Sequence, residues 1–206
     1  MEREDSFDDP IASAVVAGTA YERLRVRRFS LFSQSIPRKL AWQGIILLGL
    51  ALVLPLAMTL PESTRTFFPG GDPVWSAPKI LLLGAYAGTI ELVGGAGLVY
   101  VASRRLQSDD DLSEHEARRL LNVEDVASMI SLVTGAVAVF AVDGFLLLGH
   151  GGEPAVRSFL AAGGRNPFAG TPVPVSAVVV AVPAVLLAAF LFAWSWHLNR
   201  RLPETA

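Results

Sequence analysis

Four apolar runs, each long enough to cross a hydrocarbon layer, constrain this chain more than any other feature. They cover residues 40–60, 80–102, 126–149 and 173–196. An α-helix rises roughly 1.5 Å per residue, so about 20 apolar residues cover a bilayer core of about 30 Å. Helices buried in soluble proteins seldom combine such length with such apolarity. The runs predict an all-α integral membrane protein: a four-transmembrane-helix bundle.

Composition agrees. Of 206 residues, 52% are hydrophobic and only 17% charged, where soluble domains carry about a quarter charged residues. No segment between the runs is large enough to bury a core of its own. The domain reading is a tail over residues 1–39, a membrane domain over 40–196 and a C-terminal tail over 197–206. The charged first 39 residues do not read as a cleavable signal, so the first helix is expected to stay in the mature protein. Net charge is −2 and the arginines are divided among the segments flanking the runs, which gives no dense basic surface for nucleic acid. The absence of cysteine excludes disulfides, thiolate metal sites and cysteine nucleophiles.

Orientation follows from the distribution of arginine and lysine. With the N-terminus inside, 13 such residues fall on the cytoplasmic side: seven in the N-terminal tail, then Arg104, Arg105, Arg118, Arg119, Arg200 and Arg201. Four, Arg65, Lys79, Arg157 and Arg165, fall outside. Trp42, Tyr100, Trp194 and Trp196 sit at inner boundaries and Trp75 at an outer one, as interfacial aromatics do. The expected location is the cell membrane, multi-pass, with both termini cytoplasmic.

The connecting segments carry their own signals. Asp8-Asp9-Pro10 reads as a helix start, and Tyr21 to Phe29 interleaves arginines with apolar residues, as an amphipathic helix on an anionic leaflet does. Ser113 and Glu116 form a capping box that starts a short cytoplasmic helix before the third span. The acidic run Asp109-Asp110-Asp111 lacks the alternation and turn glycine of a calcium loop. Both outer connections are rich in proline and glycine, and a short helix is expected over residues 153–162. Pro55 and Pro183 lie inside the first and fourth spans, where each removes a backbone donor.

Glu91 is the most informative residue, because an ionisable group in mid-span costs roughly 2.5 to 3.5 kcal/mol on insertion scales. Gly84, Gly88, Glu91 and Gly95 share one helical face. Gly84 and Gly88 form a GxxxG pair, so this face is expected to be where another helix packs, with Glu91 pointing inward. Asp143 and His150 form a second stripe on the outer half of the third span. Helical rise places Glu91 and Asp143 at different depths, so they need not touch, while Thr89, Ser128, Ser131 and Thr134 add hydroxyls that extend a polar path. A metal site built from Asp143, His150 and Glu153 lacks ligand spacing. No pair of histidines faces across the bundle for haem, and no nucleophile elbow or HExxH occurs. No cofactor and no metal are therefore assigned.

One segment, Ile90-Glu91-Leu92-Val93-Gly94-Gly95-Ala96-Gly97-Leu98, resembles the Glu-Leu-x-Gly-Gly stretch of the second helix in the DoxX/DoxD group of small four-helix membrane proteins. The resemblance covers about one span and implies a redox-associated role. This chain departs from that group in its long N-terminal tail and in the charged connection after the second helix.

Function is read by elimination, since no catalytic motif is present. The first reading is a non-catalytic membrane subunit or scaffold, partnered by another membrane protein or by copies of itself in the lipid bilayer. The alternative is a homo-oligomeric proton- or cation-coupled transporter that uses Glu91 and Asp143.

Overall fold

A computed structural model describes residues 20–27, 34–107 and 112–201. Among them the chain is helical, without a strand. A short helix, α1 (Ala20–Arg27), precedes three long helices and a fourth: α2 (Ile36–Met58), α4 (Ile80–Gln107), α5 (Glu114–His150) and α7 (Ala177–Arg201). Two small helices, α3 (Glu62–Arg65) and α6 (Gly152–Ala161), lie in the connections. The four long helices are long and apolar enough to cross a membrane. The Asp8-Asp9-Pro10 helix start and the Asp109–Asp111 run fall outside the described residues.

The helices alternate in direction, so α2 begins and α7 ends at one end of the bundle. There the Ser195 hydroxyl donates to the carbonyl of Pro37 at 2.8 Å. We call this the termini end. α2 and α4 pack against each other through the centre, with α5 on one flank and α7 on the other. At the opposite end the long connections knit together. Phe68 stacks on Phe168 at 4.6 Å, Lys79 N–H donates to Ala169 O at 2.8 Å, and Thr64 donates to Gly149 O at 2.6 Å.

Helix boundaries differ from the expectation where local chemistry outweighs hydropathy. α2 starts at Ile36 because Ser35 is extended and Pro37 occupies the first turn, where its missing donor is harmless. Leu52 interrupts α2 with a tighter bond to Gly49 O. This is the turn before Pro55, whose ring crowds the carbonyl four residues back. α7 starts only at Ala177, after a turn that contains Pro174. The helix continues through Pro183 to Arg201.

The expected separate cytoplasmic helix before the third span is corrected: it is the first part of α5. The Ser113 capping box forms as read, with Ser113 Oγ accepting from Glu116 N–H. The Ser113 hydroxyl, at 2.9 Å, and its backbone N–H, at 3.2 Å, both donate to Glu116 Oε2 and hold that carboxyl below the usual range. No proline or glycine follows until Gly135, and Ala117, Leu120 and Leu121 are buried, so nothing ends the helix at the boundary. What α5 has instead is a π-helical segment, Ile130–Gly135, at its middle.

Candidate functional site

The centre of the bundle holds a column of buried polar side chains, built by α2, α4 and α5. At the termini end, Lys39 of α2 and Glu124 of α5 form an ion pair at 2.5 Å with side chains 1% and 3% exposed. The Tyr21 hydroxyl of α1 donates to the other oxygen of the same carboxylate. Burial first, and then the Glu124 charge, raises the Tyr21 phenol well above its ordinary range, so Tyr21 stays a donor. One turn further along α2, the Gln43 amide donates to Ser131 Oγ at 2.5 Å. Ser131 donates in turn to Ala127 O at 2.7 Å, and Ser128 to Glu124 O at 2.6 Å.

Helical spacing explains the alignment. Lys39 and Gln43 are four residues apart on α2, and Glu124, Ser128 and Ser131 are at i, i+4 and i+7 on α5, so each set shares a face. The π-helical segment begins one residue before Ser131 and ends at Gly135. Such segments often mark functional positions within helices.

Glu91 stands at the inner end of this column. It is fully buried, and neither carboxylate oxygen has a hydrogen-bond partner among the described residues. Its Oε1 occupies the space in front of Gly135, where no side chain intervenes. Three residues on, a Cβ at Gly94 would lie 2.7 Å from Ser131 Cβ and 3.0 Å from Gln43 Nε2. Glycine at 94 and 135 is thus what lets α4 and α5 close on the polar groups. Gln43 Oε1 is also buried without a partner.

The other residues singled out from the sequence are placed as follows. Gly84 faces Val180 and Leu50, Gly88 faces Leu50, and Gly95 faces Leu191 and Gln43, so this face of α4 is turned toward α2 and α7. Asp143 is half-buried with Oδ1 unpartnered. It lies eight residues, about 12 Å of helix, beyond Gly135, and the intervening Ala138, Val139 and Val142 are buried and apolar. Glu91 and Asp143 are therefore not brought together. His150 Nδ1 lies 3.0 Å from Leu146 O and Nε2 3.1 Å from the Thr59 hydroxyl. Glu153 pairs instead with Arg157 at 2.5 Å. Among the described residues no three metal-binding side chains converge. Thr89 and Thr134 are exposed and extend no path.

Sequence reasoning missed Lys39 and Glu124. Lys39 reads as one of the seven cations of the N-terminal tail, and Glu124 lies just before the third apolar run. The signal that could have found them is the i, i+4 continuation of each polar stripe, from Gln43 back to Lys39 and from Ser128 back to Glu124.

The helices and their polar interior define a class: an all-helical protein with four helices long and apolar enough to span a membrane. No family model, no curated protein and no solved structure matches the chain. The likeness to the DoxX/DoxD group therefore rests on residues 90–98 alone.

Proposed function

We propose that this chain is a four-span integral membrane protein with both termini cytoplasmic, and that it moves protons by way of the Glu91 carboxyl. Insertion is supported by the outer surface of the helices. Phe140 is 78% exposed and Leu186 66%, and Val93, Val137 and Leu147 are exposed as well, so apolar side chains face outward from α4, α5 and α7. An apolar surface of that extent in water would be a large exposed patch. The orientation is supported by the excess of arginine and lysine at the termini end.

The observation that carries the proton reading is Glu91 itself, buried and unpartnered at the end of a polar column. An ionised carboxylate without a partner in an apolar interior is costly by several kcal/mol, and a proton removes that cost at once. An acid kept only for packing would be expected to hold a bond to a neighbouring helix. Glu91 holds none, while Lys39, Glu124, Gln43 and Ser131 lead toward it from the termini end. The column ranks this reading above the scaffold and takes Asp143 out of the principal path.

The test is flux into liposomes containing the purified protein, driven by an imposed pH step and read with a trapped pH-sensitive dye. Wild-type protein should acidify the lumen faster than protein-free liposomes. Glu91→Gln, which keeps hydrogen-bonding capacity but cannot titrate, should fall to background, whereas Asp143→Asn should keep most of the flux. Equal rates for wild type and Glu91→Gln would rule the reading out.

A second reading is favoured by an apolar cleft of about 560 Å³ between α4 and α7, lined by Leu50, Gly84, Gly88, Val180 and Pro183. Small residues beside an open apolar cleft suit association with another membrane helix, as a subunit or scaffold requires. Native mass spectrometry of gently extracted source membranes addresses it. A reproducible mass containing a second polypeptide supports a subunit, and the chain alone counts against one.

A further inference from the structure

We propose that α1 is a removable plug, and that Tyr21 closes the termini-side entrance of the polar column to water. The inference rests on the column being a proton path and concerns how access to it is controlled. Tyr21 is fully buried, although it belongs to an eight-residue helix that begins 16 residues before α2. Its hydroxyl caps the carboxylate that Lys39 neutralises. The Arg105 guanidinium, at the end of α4, covers the outer face of the phenol ring at 4.2 Å and pairs with Glu22 of α1 at 3.7 Å. From the bundle interior outward the order is thus the Lys39–Glu124 ion pair, the Tyr21 phenol and the Arg105 guanidinium.

α1 docks on the first turns of α5. Apart from Tyr21, its apolar contribution is Ala20 and Leu24, and Arg25 reaches the Gln34 carbonyl at 2.9 Å. An eight-residue helix has no stability of its own in water, so α1 is helical here because it is docked, and it can be released as a unit. Release exposes the end of the column. Lys39 and Glu124 then face water, and proton exchange with the column no longer waits on a buried phenol. Of the amphipathic stretch expected from Tyr21 to Phe29, residues 28 and 29 lie outside the described residues; within α1 the Tyr21 side chain is inserted into the bundle end.

The chain lacks cysteine, so a single introduced thiol reports access without background. Ser128→Cys is nearly isosteric and lies beside Glu124, and the reagent is a small water-soluble methanethiosulfonate applied to the full-length protein in liposomes. In the otherwise native chain the thiol should react slowly. With Tyr21→Ala added it should react about tenfold faster or more, as for a site moved from protected to open. A control thiol, Val142→Cys, on the far side of Glu91, should stay unreactive in both backgrounds. An unchanged Ser128→Cys rate overturns the plug. If both thiols become reactive, Tyr21→Phe decides, because it keeps the ring and the Arg105 stack and removes only the bond to Glu124. Faster labelling at position 128 alone then supports the plug, and no change overturns it. Labelling reads water access and not flux. A chain that shows plug behaviour but no Glu91-dependent flux refutes the proton reading, whereas flux with unaltered labelling refutes the plug.

Discussion

The Glu91 carboxylate fills the space that a side chain at Gly135 would need, so these residues, on α4 and α5, are coupled through shared volume. Gly135 ends the π-helical segment, and the acid's placement depends on the bareness of that turn.

Gly135→Ala is accordingly expected to destabilise the protein by about 1 to 3 kcal/mol, the usual cost of forcing an extra group into a packed interior. Glu91→Ala should relieve the overlap. In a double-mutant cycle followed by thermal unfolding in detergent, the pair should cost less than the sum of the two single changes. Strict additivity would show that the residues do not compete for space.

Lys39 and Glu124 make a different prediction, since a buried pair is asymmetric. Removing one partner strands a charge and costs about 3 to 5 kcal/mol, whereas replacing both with neutral groups of similar size is often tolerated. Lys39→Met should therefore lower the unfolding temperature sharply, and Lys39→Met with Glu124→Gln should recover much of the loss. A mild effect of Lys39→Met alone would place the pair in contact with water.

Tyr21 predicts an alkaline signature. Its folded-state value is raised by burial and by the Glu124 charge, so what the neutral phenol contributes is present below the ordinary value of about 10 and is lost only as pH rises through the higher folded value. The ultraviolet difference titration of wild type minus Tyr21→Phe should show no phenolate near pH 10, where a free phenol is half ionised. Half-ionisation at about 10 would mean that Tyr21 is solvated.

Topology is open to the same cysteine-free strategy. A thiol at Arg118, exposed in the first turns of α5, should react with an impermeant reagent only after cells are opened. One at Arg157, exposed in α6, should react in intact cells. The reverse pattern would invert the proposed orientation, and labelling of both in intact cells would place the two ends on one side.

Much of the architecture was legible before any coordinate. Four apolar runs of about 20 residues give four helices long enough to cross a membrane, and an even number of antiparallel passes returns α7 to the end where α2 begins. The Gly84, Gly88, Gly95 face was readable from spacing, as was the Ser113 cap, since both are local periodicities. Helix ends were less legible: hydropathy began the third span at residue 126, but α5 begins at Glu114 because nothing in between breaks it.

The polar column was decided by tertiary structure alone. Its defining pairs join residues 85, 88 and 103 positions apart, and whether they meet depends on how α2, α4 and α5 are rotated and shifted against one another. Each helix carries its stripe in sequence, but the register between stripes is set by close packing at Gly94 and Gly135 and by the π-helical turn. Lys39 looked like a boundary cation because a lysine at a span's edge has two physical solutions, to reach outward to water or inward to a carboxylate. Sequence supplies the lysine, and only the position of Glu124 on another helix selects the inward solution.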